Sequence, residues 1–186
     1  LVPEAFALEK EVLRKEALPE MKIMYRPDVK LSNRYVLNTE RNLQNSLKRK
    51  PGNYEFGRCN SRDDDAFEVS VGPDSIPRAL AILQILCDAL EARGYPIGPQ
   101  EDPKEKQEHQ NGYQQRKACP IYAKVLDTYV RFKITESSLR QNIAAEHRTS
   151  SYASYEYVPS GKLCFELVTS TYNCYVRNKW QDGKNL

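Results

Sequence analysis

Hydrophobic and polar positions repeat with two different periods along this chain, and the change of period marks its elements. Residues 77–94 carry the clearest pattern. Ala79, Ile82, Leu83, Leu86, Cys87 and Leu90 recur at the spacing of one apolar face of an α-helix. Pro77 fits the first turn of that helix, and Gly94 is a natural stop just past its end. Such a helix is expected to pack across a sheet, with Ile82, Leu83, Leu86 and Leu90 buried. Residues 66–71 alternate by two instead. Phe67, Val69 and Val71 share one face, Glu68 and Ser70 the other, as in a half-buried strand.

Upstream, residues 3–18 read as a helix that opens at Pro3 and Glu4 and stops at Pro19. Ala5, Leu8, Val12 and Leu13 form its narrow apolar face. Residues 19–37 contain Pro27 and show no clear period. They read as a linker, which divides the chain into an N-terminal helix and linker over 1–37 and a main domain over 38–186. A second helix is expected over 39–50, from Thr39 as N-cap to the break at Pro51-Gly52. Leu43 and Leu47 mark its apolar edge. Lys48, Arg49 and Lys50 fall in its last turn, where cations suit the helix dipole.

Residues 99–117 are poor in apolar side chains and rich in Gln, Glu and Lys, and read as a mobile loop or a protruding hairpin tip. Next comes a hairpin of 120–126 and 129–135 turning at Asp127-Thr128. Val130, Phe132 and Ile134 point inward, Arg131 and Lys133 outward. A short helix over 137–148 follows. A second hairpin, 153–158 and 162–168, turns through Pro159-Ser160-Gly161, with Leu163, Phe165 and Leu167 on its apolar face. A last strand over 172–177 precedes Trp180. This order predicts an α+β fold: one antiparallel sheet of about five strands with helices packed on one face, preceded by an N-terminal helical segment.

With 186 residues, 40% hydrophobic and 28% charged, the chain can bury a core without help from disulfides or metals. No apolar run reaches the roughly 18 residues of a membrane span. The first residues lack the basic start and apolar run of a signal peptide. They also lack an initiator Met, which suggests a piece of a longer protein. Cys59, Cys87, Cys119, Cys164 and Cys174 are scattered and include no C-x-x-C pair. They read as reduced thiols of a cytoplasmic protein with no disulfide framework, structural metal or cofactor.

Charge changes the picture more than composition does. Residues 34–62 hold seven Lys/Arg against two Glu, a net of +5, and residues 63–102 hold two Arg against nine acids, a net of −7. That asymmetry suits steering of an anionic partner, or two surfaces that attract each other. Lys48, Arg49, Lys50, Arg58 and Arg62 are the candidate nucleic-acid contacts, of the kind that position a protein on phosphates without reading sequence.

Catalytic motifs are absent: no P-loop, dinucleotide fingerprint, nucleophile elbow or zincin helix occurs. His109 and His147 stand beside no nucleophile motif and read as surface residues. Asp63-Asp64-Asp65 reads as a solvated turn, because three consecutive side chains diverge. Asp127, Lys133, Glu136 and Glu166 resemble a metal-dependent nuclease set. Asp127 and Glu136 lie nine residues apart, however, up to roughly 30 Å along a strand, so they read as charges on an open sheet face. Twelve tyrosines, with Tyr152, Tyr155, Tyr157, Tyr172 and Tyr175 clustered late, suit base stacking or ordinary strand packing.

The stretch PDSIPRALAILQILCDALEARGYPI, followed by VRFKITE, YEYVPSGKLCFEL and RNKWQDGKNL, resembles the C-terminal region of a bacterial protein family. Members of that family carry an N-terminal helix-turn-helix module, which lies outside this chain. The marks are Arg78-Ala79-Leu80, Ala92-Arg93-Gly94-Tyr95, Pro159-Ser160-Gly161 and Trp180-x-Asp182, all packing and turn residues in type. The resemblance implies a bacterial DNA-associated parent protein, of regulatory, mobile-element or defence type; with no catalytic motif in the chain, the expected role is a non-catalytic partner-binding or oligomerisation domain. DNA through the basic segment, a second copy or a partner protein are its expected partners, with no membrane. A nucleic-acid-processing enzyme and a small-ligand sensor, its pocket between the 78–93 helix and the sheet, stay open as alternatives. Clustered carboxylates would favour the first, convergent polar groups in a pocket the second.

Overall fold

A computed structural model describes residues 4–49, 57–61, 65–99, 121–125, 128–143, 155–169 and 179–182. The helices are α1 (Glu4–Glu16), α2 (Arg34–Lys48) and α3 (Ile76–Ala92); the strands are β1 (Cys59–Ser61), β2 (Glu68–Val71), β3 (Ile97–Pro99), β4 (Ile121–Val125), β5 (Thr128–Asn142), β6 (Tyr155–Thr169) and β7 (Lys179–Gln181). They form an α+β fold with one sheet, and α2 and α3 cover one of its faces. The core lies between the layers, where Val36, Leu43, Ala79, Leu83 and Cys87 meet Phe67, Val69, Val71, Phe132 and Ile134. A row of rings crosses it: Phe67, Phe132, Phe165 and Trp180 stand 6.5, 5.9 and 6.0 Å apart in turn.

The sheet runs β1-β2-β5-β4-β3, and β6 and β7 follow on the other edge of β5. It is antiparallel except for β2 and β5, which pair in parallel from Glu68↔Lys133 to Ser70↔Thr135. That departure from an all-antiparallel sheet has a plain cause. A parallel pair needs a crossover, and α3 with the β3–β4 return supplies it. β4 holds β5 at Thr128–Arg131 and β2 holds it at Lys133–Thr135.

The α3 helix ends as its sequence suggests. Gly94 takes φ +76°, and the Tyr95 N–H reaches back to the Leu90 carbonyl at 2.9 Å, closing the C-terminal turn. Its inward stripe is shifted, however. Of the four side chains expected to be buried, Leu83 is fully covered, while Ile82, Leu86 and Leu90 are only partly so. The helix is apolar nearly all round, and the buried stripe runs through Ile76, Ala79, Leu80, Leu83 and Cys87.

Three other expectations are corrected. First, α2 begins at Asn33 rather than Thr39: the Asn33 side chain accepts the Tyr35 N–H at 3.0 Å as N-cap. Thr39 sits mid-helix, bonds the Tyr35 carbonyl at 2.7 Å and accepts the Phe67 N–H at 2.8 Å. It fastens the helix to the start of β2, and the expected boundary at 37/38 falls inside α2. Second, β5 continues to Asn142, so residues 137–142 are strand where a helix was expected. Third, Pro159-Ser160-Gly161 is not a hairpin turn. β6 is continuous, and its partner over the whole length is β5, from Val130↔Thr169 to Asn142↔Tyr155. The register shifts where Ser160, Gly161 and Lys162 oppose Ser137. Proline and glycine suit such a bulge as well as they suit a turn.

Residues 126–127, between β4 and β5, lie outside the described residues, and Thr128, expected in the turn, already pairs with Val125. The strand expected over 172–177 also lies outside them, as does the loop expected over 99–117 apart from Pro99, which ends β3.

Candidate functional site

The candidate basic residues divide. Lys48 and Arg49 are exposed at the C-terminal end of α2. Lys50 and Arg62 lie outside the described residues. Arg58 is half-buried and structural in its contacts: its guanidinium donates to the Glu136 carbonyl at 3.1 Å and to Ser138 Oγ at 2.9 Å. The Asn60 N–H bonds Ser46 Oγ at 3.0 Å. Arg58 and the basic end of α2 therefore share one end of the molecule.

The nuclease-like set does not converge. Asp127 lies outside the described residues. Lys133 pairs with Glu68 at 3.0 Å, and Glu166 approaches Lys179 at 3.9 Å. With Lys133 opposite Glu166 in the register, these four make a row of alternating charge across the open sheet face. Among the described residues no group of three His, Cys, Asp or Glu side chains is placed to hold a metal ion. His109, His147, Asp63 and Asp64 lie outside the described residues, and Asp65 is exposed.

Glu136 is not a surface charge. It is 2% exposed, and its two carboxyl oxygens accept the Gly72 N–H at 2.7 Å and the Gly161 N–H at 2.5 Å. The alternation that turns Val130, Phe132 and Ile134 inward carries Glu136 inward as well, a signal present in the sequence. Gly72 must be glycine here, because an added Cβ would stand 2.6 Å from Pro159 Cβ. Beside this latch, Arg78 donates to the Gly161 carbonyl at 2.6 Å and to Asp182 at 2.7 Å. Asp182 also accepts the Leu163 N–H at 2.9 Å. Arg78, Gly161 and Asp182, three of the marks noted in the sequence, thus meet at one structural junction. Arg93, another, clamps both carboxylate oxygens of Glu16 at 2.6 and 2.8 Å and bonds the Met21 carbonyl at 2.7 Å.

Gln84 gave no functional signal, yet it is fully buried in α3. Its Oε1 accepts the N–H groups of Ser32 and Asn33 at 2.9 and 3.1 Å, and its Nε2 donates to Asp88 at 2.6 Å. It fixes the entry of α2 against α3, and with it the direction of the segment before.

That segment is the most unusual surface. Residues 22–26 run across α3 as an extended strap, with Ile23, Met24 and Tyr25 exposed by 52, 70 and 50%. Between the strap, α3 and β6 lies a cleft of about 250 Å³ lined by Ile23, Tyr25, Ile82, Ile85, Leu86 and Phe165. An adjoining cleft of about 430 Å³ carries Lys22 and Arg26 on its strap side and Asp88 and Arg93 on its helix side. Three consecutive exposed apolar side chains beside an apolar cleft are uncommon on a monomer's surface.

Comparison with protein-family models, curated proteins and solved structures finds no match for this chain. No helix among the described residues is long and apolar enough to cross a membrane.

Proposed function

We propose that this chain is a non-catalytic self-association domain of a DNA-associated protein. The observation that carries the reading is the exposed strap of Ile23, Met24 and Tyr25 beside its apolar cleft. In a two-fold pair the same patch serves both copies. The strap of one copy lies over α3 of the other, which sets Lys22 and Arg26 of the strap against Asp88 of the facing helix. Arg93, the other charge on the helix side, is already paired with Glu16, which leaves Asp88 to the strap cations. Leu13 and Leu18, 63 and 44% exposed, are further uncovered apolar side chains upstream of the strap in sequence. DNA association is supported by Lys48 and Arg49, exposed at the end of α2, and by the resemblance noted in the sequence.

The alternatives fare less well on the geometry. The six side chains of the cleft are apolar apart from the Tyr25 hydroxyl, which is not the convergent polar lining that a small-ligand sensor needs. Glu136 and Glu166, the described carboxyl groups of the nuclease-like set, are held by backbone N–H groups and by Lys179.

Light scattering during size-exclusion chromatography tests the reading. The wild-type chain should run as a dimer, and Ile23→Ser with Tyr25→Ser as a folded monomer. A monomeric wild type at high protein concentration, or a strap variant that stays dimeric, would overturn it.

A further inference from the structure

The β5–β6 ribbon outruns the rest of the sheet. β2 holds β5 only as far as Thr135, and β7 meets β6 only from Cys164 onward. The β5–β6 pairing continues past both, through Ser138↔Pro159 to Asn142↔Tyr155. The Ser138–Pro159 pair is still held, by Arg58 and against Gly72, so four residues of each strand project as a two-stranded arm, about 14 Å long at the usual rise per residue. Leu139 to Asn142 and Tyr155 to Tyr157 are exposed throughout. An isolated two-stranded ribbon is marginal in water, and one that shows Leu139, Tyr155 and Tyr157 to solvent is built to meet a surface.

The two faces of the arm differ. The register Arg140↔Tyr157 and Asn142↔Tyr155 sets those four on one face, and leaves Leu139, Gln141, Glu156 and Val158 on the other. The first face carries a cation and no carboxylate. There the Arg140 guanidinium stands 3.9 Å over the Tyr155 ring, and Tyr157 meets that ring edge-on at 5.6 Å. Stacking on the ring holds the arginine in a defined position. At the root, Arg58 bridges the Glu136 carbonyl and Ser138 Oγ, which stiffens the exit of the arm. The basic end of α2 lies on the same end of the molecule.

We propose that this arm enters the major groove of duplex DNA, with Arg140 and Asn142 directed at base edges. The groove is about 12 Å wide and admits a two-stranded ribbon, and arginine and asparagine match the paired acceptors and donors of guanine and adenine. Single-strand recognition wants open ring faces; Tyr155 has Arg140 on one face and Tyr157 at its side. The inference rests on the DNA-associated part of the proposed function. It shares no residue with the strap, so a monomeric strap variant keeps it.

The test is fluorescence anisotropy of the full chain with a mixed-sequence duplex and with its single strands, each across a salt series. The duplex should bind more tightly than either strand. Arg140→Ala should weaken duplex binding by roughly 5- to 100-fold, the discrimination usual for one bidentate contact, while Arg140→Lys should recover only part of it. Prior methylation of guanine N7 should weaken binding similarly, and the minor-groove ligand netropsin should not. Lys133→Ala, on the open sheet face, should leave binding unchanged, and circular dichroism should show each variant folded. Equal affinity for single strands, or insensitivity to both Arg140→Ala and N7 methylation, would overturn the arm. Should binding survive Arg140→Ala but vanish when Lys48 and Arg49 are neutralised, the DNA reading stands without the arm. Should the folded wild type bind no duplex, both fail.

Discussion

Replacing Glu136 with glutamine should destabilise the fold although the two side chains have nearly the same volume. The carboxyl group is 2% exposed, with its oxygens 2.7 and 2.5 Å from the Gly72 and Gly161 nitrogens. Both partners are donors. A glutamine offers one acceptor, and its amino group must face the other N–H. One hydrogen bond is lost and a buried donor is left without an acceptor, a change worth about 1.5–3 kcal/mol. For a chain of this length that corresponds to a fall in Tm of about 3–12 °C. Urea unfolding followed by circular dichroism measures it, with Glu166→Gln as control. Glu166 is half-buried and only 3.9 Å from its Lys179 partner, so its loss should stay within about 0.5 kcal/mol. An unchanged urea midpoint for Glu136→Gln, or a change no larger than the control's, would refute the latch.

Leu83→Ala should cost about 2–5 kcal/mol in the same assay, as for a fully buried leucine, and Leu86→Ala clearly less, since Leu86 only flanks the core; equal losses would contradict the shifted stripe. Burial pushes the Cys87 thiol up to about 12, so in the folded protein at mildly alkaline pH it should resist a thiol reagent. The denatured, unreduced chain should titrate five thiols, whereas a lower count would reveal a bridge. The hydrogen bond from Arg93 holds the Glu16 carboxyl below its ordinary 4.5. A depressed folded-state value means that the anchor of α1 is fully present above the unfolded value and is lost only as pH falls through the lower one. An NMR titration of Glu16 should therefore show a midpoint below 4.5; one at or above it would contradict the clamp.

The elements that sequence reveals best here are those whose pattern has a single reading. The helix closed by Gly94 and the alternation of Phe67, Val69 and Val71 have no rival interpretation, and both appear in the structure. Ambiguity enters where one chemistry serves two geometries. Pro159-Ser160-Gly161 suits a turn and equally a bulge, and only the length of the β5–β6 pairing decides between them. Thr39 is a good N-cap by type, but tertiary bonds to Tyr35 and Phe67 place it mid-helix, and Asn33 takes the cap. The apolar face of α3 is too wide for its period to say which stripe turns inward. Arg58 looks like a phosphate ligand in a one-dimensional count of charge, and its contacts to Glu136 and Ser138 span more than seventy residues of sequence. Glu136 was legible, because it continues the inward alternation of Val130, Phe132 and Ile134. The strap is the reverse case. Nothing periodic marks residues 22–26, and their exposure follows only from the way Gln84 and Arg93 hold the chain on either side.

The most direct measurement of self-association through the strap is a disulfide cross-link between two variants, each with one added cysteine and with Cys119 and Cys174 replaced by serine. Met24→Cys places a thiol on the strap, and Ala92→Cys places one on the facing end of α3; both positions line the same cleft. The described native cysteines are buried. Mixed under mild oxidation, the two variants should form a covalent heterodimer in much higher yield than either variant alone forms a homodimer. A mixture that stays monomeric on non-reducing electrophoresis, with both variants folded, would contradict the account.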